Sequence, residues 1–216
     1  MTEHAFEPMR RAMVASQLRT TGVNDPRVIA AMGEVPRERF VPIERQALAY
    51  ADAQVPLGDG RALNSPMVLG RLLTEAHLDG NERALVIGAA TGYSAVLLAR
   101  LAGSVVALEE EAGLAAFAED ALKGSGVDLV HGPLAKGWPQ AGPYDFILID
   151  GAVEHVPHAI VEQVADGGEV ALALIVDGVS RLCVGRVVSG AFGAIAFADA
   201  AAAALPGFEK PRGFSF

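Results

Sequence analysis

From Ser65 onward the chain alternates short unbroken apolar runs with segments of helical spacing. Met67 to Ala76 is helical in pattern, and Ala84-Leu85-Val86-Ile87 is an apolar run closed by Gly88. Helical spacing resumes from Ser94 to Leu101, and Val105-Val106-Ala107-Leu108 is a second run ending at Glu109. Ala112 to Lys123 is again helical and closes at Gly124. Leu129-Val130 is a weak third strand, and Phe146-Ile147-Leu148-Ile149 is a fourth that ends at Asp150. Pro157 opens a helix predicted to reach Ala165, Gly167-Gly168 stops it, and Val170 to Val176 is a fifth strand. Runs that are apolar on both faces and separated by helices predict a parallel sheet covered on both sides. Arg181 to Val188 and Ala194 to Asp199 then alternate around Ser189-Gly190, as an antiparallel hairpin does. The prediction is an α/β, Rossmann-like fold whose mostly parallel sheet finishes in an antiparallel hairpin.

The first 60 residues read differently. Pro8 to Arg19 is helical, with Met9, Met13 and Leu18 apolar, and it ends near Gly22. Asn24-Asp25-Pro26 supplies a cap and a first-turn proline for a helix over Arg27 to Met32. Pro36, Pro42 and Pro56 break the rest into an irregular path ending at Gly58-Asp59-Gly60. With no repeat and no long polar linker, the expectation is one domain over residues 1–216, a helical annex at 1–60 and an α/β core at 61–216.

The 216 residues are 51% hydrophobic, which suits a sizeable core and excludes general disorder. The net charge of -9, from 26 acids against 17 bases, argues against a nucleic acid or an anionic membrane as partner. The single cysteine, Cys183, excludes an internal disulfide and a cysteine-based metal cluster. Ala191 to Leu205, the most apolar stretch, contains Asp199, and the N-terminus has no hydrophobic signal core. The expectation is a soluble, cytoplasmic protein whose oligomeric state is open.

Ligands of doubly wound sheets lie at the carboxyl ends of the strands, near the reversal of strand order. That rule selects Gly88 to Tyr93, Glu109 to Glu111, His131 to Leu134, and Asp150 to His155. The small residues Gly88, Ala89, Ala90 and Gly92, leading to Tyr93, let a ligand approach the backbone. Glu109, with Glu110 beside it, stands 21 residues beyond Gly88, where an acid accepts both hydrogen bonds of a ribose diol. Together these features point to a nucleoside. A dinucleotide needs G-x-G-x-x-G for its pyrophosphate, and position 90 is Ala; S-adenosylmethionine carries no phosphate and tolerates looser spacing. NAD is the second candidate.

Three blocks carry a family resemblance: Met13-Val14-Ala15-Ser16-Gln17-Leu18, Val35-Pro36-Arg37-Glu38-Arg39-Phe40-Val41-Pro42, and Thr91-Gly92-Tyr93-Ser94-Ala95-Val96-Leu97-Leu98-Ala99-Arg100. Asp25-Pro26-Arg27-Val28, Leu48-Ala49-Tyr50, Pro56-Leu57-Gly58 and Pro143-Tyr144-Asp145 extend it, so that nearly the whole chain resembles the protein-L-isoaspartate O-methyltransferases. The resemblance implies a methyltransferase fold with S-adenosylmethionine as cofactor and S-adenosylhomocysteine as product. It also implies isoaspartyl-containing proteins or peptides as substrate. Such a carboxylate, of ordinary pKa roughly 3.5 to 4, is ionised at neutral pH and requires alignment rather than a general base. Because the protein is itself anionic, a local donor site is required. The resemblance puts Asn64 and Ser65 there as catalytic residues. Gly88, Ala89, Ala90, Gly92, Tyr93, Glu109, Glu110, Pro133, Leu134 and Asp150 form the implied cofactor site.

The departures from the family pattern fall at functional places. Ala62-Leu63-Asn64-Ser65-Pro66 stands for Thr-Ile-Ser-x-Pro, so Asn64 takes the serine position. Val86 and Ala90 replace an acid and a glycine, and Gly132-Pro133-Leu134 replaces Gly-Asp-Gly. Losing two charge-assisted hydrogen bonds, each about 1.5–3 kcal/mol, would weaken cofactor binding by about two orders of magnitude or more. Asp150, Glu154 and His155 stand where the family has small residues. They read as a polar surface loop or a new acid–base site, and with His158 as a remote metal possibility; the expectation is no metal. Trp138 and Cys183 read as packing residues, His77 and His131 lack sequence partners, and His4 falls in a terminal tip. The apolar stretch from Phe197 to Phe216 is expected to cover either this domain or a second chain. Two alternatives stay open: a different methyl acceptor, and a silent scaffold with a binding role.

Overall fold

A computed structural model describes residues 3–210. The annex begins with α1 (Glu3–Met13), continues through a π-helical turn at Val14–Leu18, and reaches α2 (Pro26–Glu34). Asp25 caps α2, its carboxylate accepting from the backbone N–H of Arg27 at 2.7 Å, ahead of the first-turn proline. A hairpin of β1 (Val55–Gly58) and β2 (Arg61–Leu63) follows, then α3 (Pro66–Glu75). The core runs β3 (Arg83–Ile87), α4 (Tyr93–Leu98), β4 (Ser104–Glu109), α5 (Ala112–Ala121), β5 (Val127–His131) and β6 (Tyr144–Val153). It ends with α6 (His158–Val161), β7 (Val164–Val176), β8 (Val179–Val188) and β9 (Ala191–Asp199).

The seven-stranded sheet has the order β5-β4-β3-β6-β7-β8-β9, parallel up to β7, after which β8 and β9 pair antiparallel. This is the predicted class. Its unbroken apolar strands have the predicted cause. Ala84, Val86, Ala107, Phe146 and Leu148 face one layer, with Leu72, Leu97 and annex residues such as Met32. Leu85, Ile87, Leu108, Ile147 and Ile149 face the other, with Leu134 and Ile160. Alternate side chains of one strand thus enter different cores, so both must be apolar.

Two expectations need correction. The path to Gly60 is not irregular: Val55 pairs with Leu63, and the turn residues Asp59 (φ 49) and Gly60 (φ 73) are both left-handed. Asp-Gly is a strong signal for that turn, and it places Arg61 and Asn64. The helix predicted from Pro157 to Ala165 is only the four residues of α6, because the Gln163 carbonyl accepts from Tyr144 N–H at 2.8 Å and commits the chain to β6. Val164 already pairs with Tyr144 as the start of β7.

Chain order reverses between β3 and β6, so their carboxyl ends, at Gly88 and Asp150, flank the switch point. Because β6 is central and Leu148 has no exposed surface, Leu148→Ala is expected to cost about 2–5 kcal/mol in urea unfolding. Ile195→Ala, on the edge strand and 79% exposed, is expected to change stability by less than about 0.5 kcal/mol.

Candidate functional site

The turn after β3 is built for close approach. Gly88 (φ 80) and Gly92 (φ 97) are left-handed, and so is Ala90 (φ 49), where a glycine would avoid about 1–2 kcal/mol of strain. The N–H groups of Gly88 and Ala89 both donate to the Leu108 carbonyl at 3.0 Å, locking the turn to β4. Glu109 ends β4 beside it with no exposed surface.

Glu109 is fully engaged. Its Oε1 accepts from Arg61 Nη1 at 2.7 Å and from the N–H groups of Glu110 and Glu111 at 2.9 Å. Its Oε2 accepts from Arg61 Nη2 at 3.0 Å and from Ala90 N–H at 2.7 Å. Five donors on two oxygens exhaust the lone pairs of a carboxylate. Arg61, 6% exposed, also reaches the Gly88 carbonyl at 3.4 Å.

The space over the turn is filled as well. A Cβ added at Gly88 would lie 2.7 Å from Leu205 Cδ1, and one at Gly151 would lie 2.9 Å from both the Ala203 carbonyl and Leu205 Cβ. The chain beyond β9 thus crosses the carboxyl ends of β3 and β6. Ala152 N–H donates to the Ala203 carbonyl at 2.7 Å, and Leu205 N–H returns to the Ala152 carbonyl at 2.9 Å. Phe208 is buried at 1% exposure, and its carbonyl accepts from Glu154 N–H at 3.3 Å and lies 3.0 Å from His155 Nδ1. Lys210 N–H donates to Glu154 Oε2 at 2.7 Å. The apolar C-terminal stretch therefore packs on its own chain, as far as residue 210; Phe214 and Phe216 lie outside the described residues, as does the side chain of His4.

The same segment engages the residues that depart from the family pattern. Asn64, 2% exposed, donates from Nδ2 to Asp150 Oδ1 at 2.8 Å and accepts from Ala203 N–H on Oδ1 at 2.7 Å. A register shift in β6 between Leu148 and Ala152 frames Asp150. Burial pushes the Asp150 carboxyl above its ordinary range, opposed by Ser94, by Asn64 and by the charges of Arg37 and Arg61. Arg37 lies beneath, without exposed surface, donating from Nε to the Ala49 carbonyl at 2.6 Å and from Nη2 to the Asn64 carbonyl.

Other candidates are placed differently from the expectation. Tyr93 has no exposed surface, lies edge-on to Phe40 at 5.4 Å, and has the Arg37 guanidinium 4.7 Å from its ring centre. It is a packing residue between annex and core, because its ring is wholly enclosed there. Ser65 Oγ caps α3, accepting from Val68 N–H at 3.4 Å. Leu134 is buried, and its N–H donates to Glu110 Oε2 at 3.3 Å beside Pro133. Glu154 and His155 hold the terminal segment rather than forming an open acid–base pair. His158 is exposed next to Glu162 at 3.6 Å, and no group of three or more metal-ligating side chains occurs among the described residues. No helix among those residues is long and apolar enough to cross a membrane. Sequence reasoning missed Arg61, although its neighbour, the Asp59-Gly60 turn, carried the signal that a strand begins there.

A ribose diol would donate two hydrogen bonds to Glu109, and Arg61 already donates two; the volume above Gly88 is held by Leu205. In this arrangement the residues do not fit a nucleoside cofactor.

The family model described as protein-L-isoaspartate(D-aspartate) O-methyltransferase matches residues 9–181. The chain belongs to this family. Protein-L-isoaspartate O-methyltransferase 1 of Rhodopseudomonas palustris is 38% identical over 80% of this chain and 72% of its own. Protein-L-isoaspartate O-methyltransferase 2 of Marinobacter nauticus is 36% identical over 93% of this chain and 94% of its own. Among solved structures, a protein-L-isoaspartate O-methyltransferase superposes with a TM-score of 0.79 at 23% identity, covering 92% of this chain and 66% of that one. A Plasmodium falciparum protein in complex with S-adenosyl-L-homocysteine gives 0.74 at 18% identity, over 92% of this chain and 97% of that one. The methyltransferase fold of the family is thus the fold found here.

Glu109 is a poor single-site probe of cofactor binding, because its removal strands a buried guanidinium. Glu109→Ala is expected to cost about 3–5 kcal/mol in urea unfolding, and adding Arg61→Met to recover part of that loss; additive losses would remove the coupling. For Asp150, a folded-state pKa raised above the unfolded one contributes stability at acid pH that is lost as pH rises through the folded value. Asp150→Asn keeps an oxygen for Asn64 and removes the titration. Its Tm is expected to exceed that of the wild type by a few degrees near about pH 8, the gap closing towards about pH 4.

Proposed function

We propose that this chain transfers a methyl group from S-adenosylmethionine to the carboxylate of isoaspartyl residues in proteins and peptides, a repair activity. The observation that carries the reading is the family match across residues 9–181, which takes in the annex as well as the core. The annex is what separates this family from generic nucleoside-binding sheets, and here Arg37, Glu38 and Phe40 of its Val-Pro-Arg-Glu-Arg-Phe block are all buried.

The acceptor is ionised at neutral pH, so the protein's part is to desolvate and orient it. Asn64 supplies the donor, from Nδ2, at the place the resemblance gives to a serine. That amide is on Asp150 in the arrangement described, as Glu109 is on Arg61. The cofactor would supply the methyl group, and in the arrangement described Arg61 and Leu205 take its place.

The occupied place also favours a second reading, a scaffold that has kept the family fold without turnover. A methyl-transfer assay on an isoaspartyl peptide and its aspartyl twin separates the two. Methyl ester on the isoaspartyl peptide, at least about tenfold above the twin, is the expected result. No ester on either peptide would support the scaffold without turnover.

A further inference from the structure

We infer that residues 203–208, together with Arg61, are a self-supplied occupant of the nucleoside site, and that cofactor and segment exclude one another. The inference rests on the functional reading above and adds its regulation.

Three independent contacts carry it. Arg61 presents two parallel N–H donors to Glu109 at 2.7 and 3.0 Å, the two-donor pattern of a ribose diol carried by a charged group. Leu205 occupies the volume above Gly88, where glycine leaves the backbone open to a ligand. Gly151, on the neighbouring strand, has no Cβ to hold the segment off, since one would meet the Ala203 carbonyl at 2.9 Å.

The segment is anchored by specific bonds at many points. Ala203 N–H donates to Asn64 at 2.7 Å and Leu205 N–H to the Ala152 carbonyl at 2.9 Å, while Gln54 Nε2 and the Ser180 carbonyl hold the approach at Ala201 and Ala200, at 3.0 and 3.1 Å. Asn64 and the Asp150–His155 loop, both departures from the family pattern, supply its anchors.

Release has a route. Arg61 also borders an open cleft lined by Asp59, Glu110 and Glu111 together with Pro206 and Gly207. When the segment leaves, Arg61 exchanges Glu109 for these carboxylates, and its charge is not stranded. No covalent step is involved.

The test uses the full chain and S-adenosylhomocysteine as probe. Affinity is measured by calorimetry for the wild type, for Leu205→Ala, which empties the space over Gly88, and for Ala203→Pro, which removes the N–H donated to Asn64. Circular dichroism confirms that each variant is folded. Both variants are expected to bind at least about tenfold more tightly than the wild type. Saturating probe is expected to accelerate hydrogen exchange at the amides of Ala203 and Leu205 in the wild type. Equal affinities with those amides still protected would overturn the inference alone. No binding at millimolar probe by any of the three folded proteins would overturn it together with the functional reading beneath it.

Discussion

The site depends on a carboxylate buried at the end of a central strand. Glu109 has no exposed surface, and an ionised carboxylate in such a place is tolerated only when its oxygens are saturated by donors. Three backbone N–H groups come from the two turns that flank it, at Ala90, Glu110 and Glu111. They leave a requirement for two more donors and a balancing charge. Arg61 meets both, and it reaches Glu109 only because the β1–β2 hairpin brings residue 61 to the switch point. The left-handed backbone at Ala90 follows from the same constraint, since that turn aims the Ala90 N–H at Glu109. The strain of a Cβ there is offset by a charge-assisted bond.

The departures from the family pattern make sense once they are seen to touch one another. Asn64 in place of a serine and Asp150 in place of a small residue form one hydrogen bond, and the same Asn64 amide takes the N–H of Ala203. Glu154 and His155, which in the sequence are a polar loop without an object, take the backbone at Phe208 and Lys210. Taken singly, Asn64 reads as an altered catalytic position, and Glu154 and His155 as a polar loop. Taken as a set, they form the receiving surface for a segment of the same chain, which fills what the substitutions would leave empty.

The sheet was legible because the constraint on it is local: a strand buried on both faces must be apolar at every position, and Ala84 to Ile87 and Phe146 to Ile149 are. Glu109 and Asp150 were legible as positions, since each ends such a run. Their partners were not, because Arg61 stands 48 residues from Glu109 and Asn64 stands 86 from Asp150, and periodicity carries no information over such separations. The helix expected after Pro157 failed for a related reason. Val161 and Val164 are tolerable in a helix on propensity alone, and the competing demand from Tyr144 N–H is a tertiary one. Tyr93 follows a glycine-rich turn and has two faces to serve, and only the fold shows that its ring lies with Phe40 and Arg37.

The exchange of Arg61 for a ribose is not an exchange of equals. A neutral diol can match the two hydrogen bonds of a guanidinium but not its charge, so a Glu109 relieved of Arg61 would be less well compensated unless positive charge accompanies the ligand. S-adenosylmethionine carries a sulfonium, whereas S-adenosylhomocysteine lacks one. On the inferred exchange, the sulfonium would favour the cofactor over its spent product. The net charge of -9, unfavourable for drawing in a carboxylate substrate, acts in the opposite sense on a cationic cofactor.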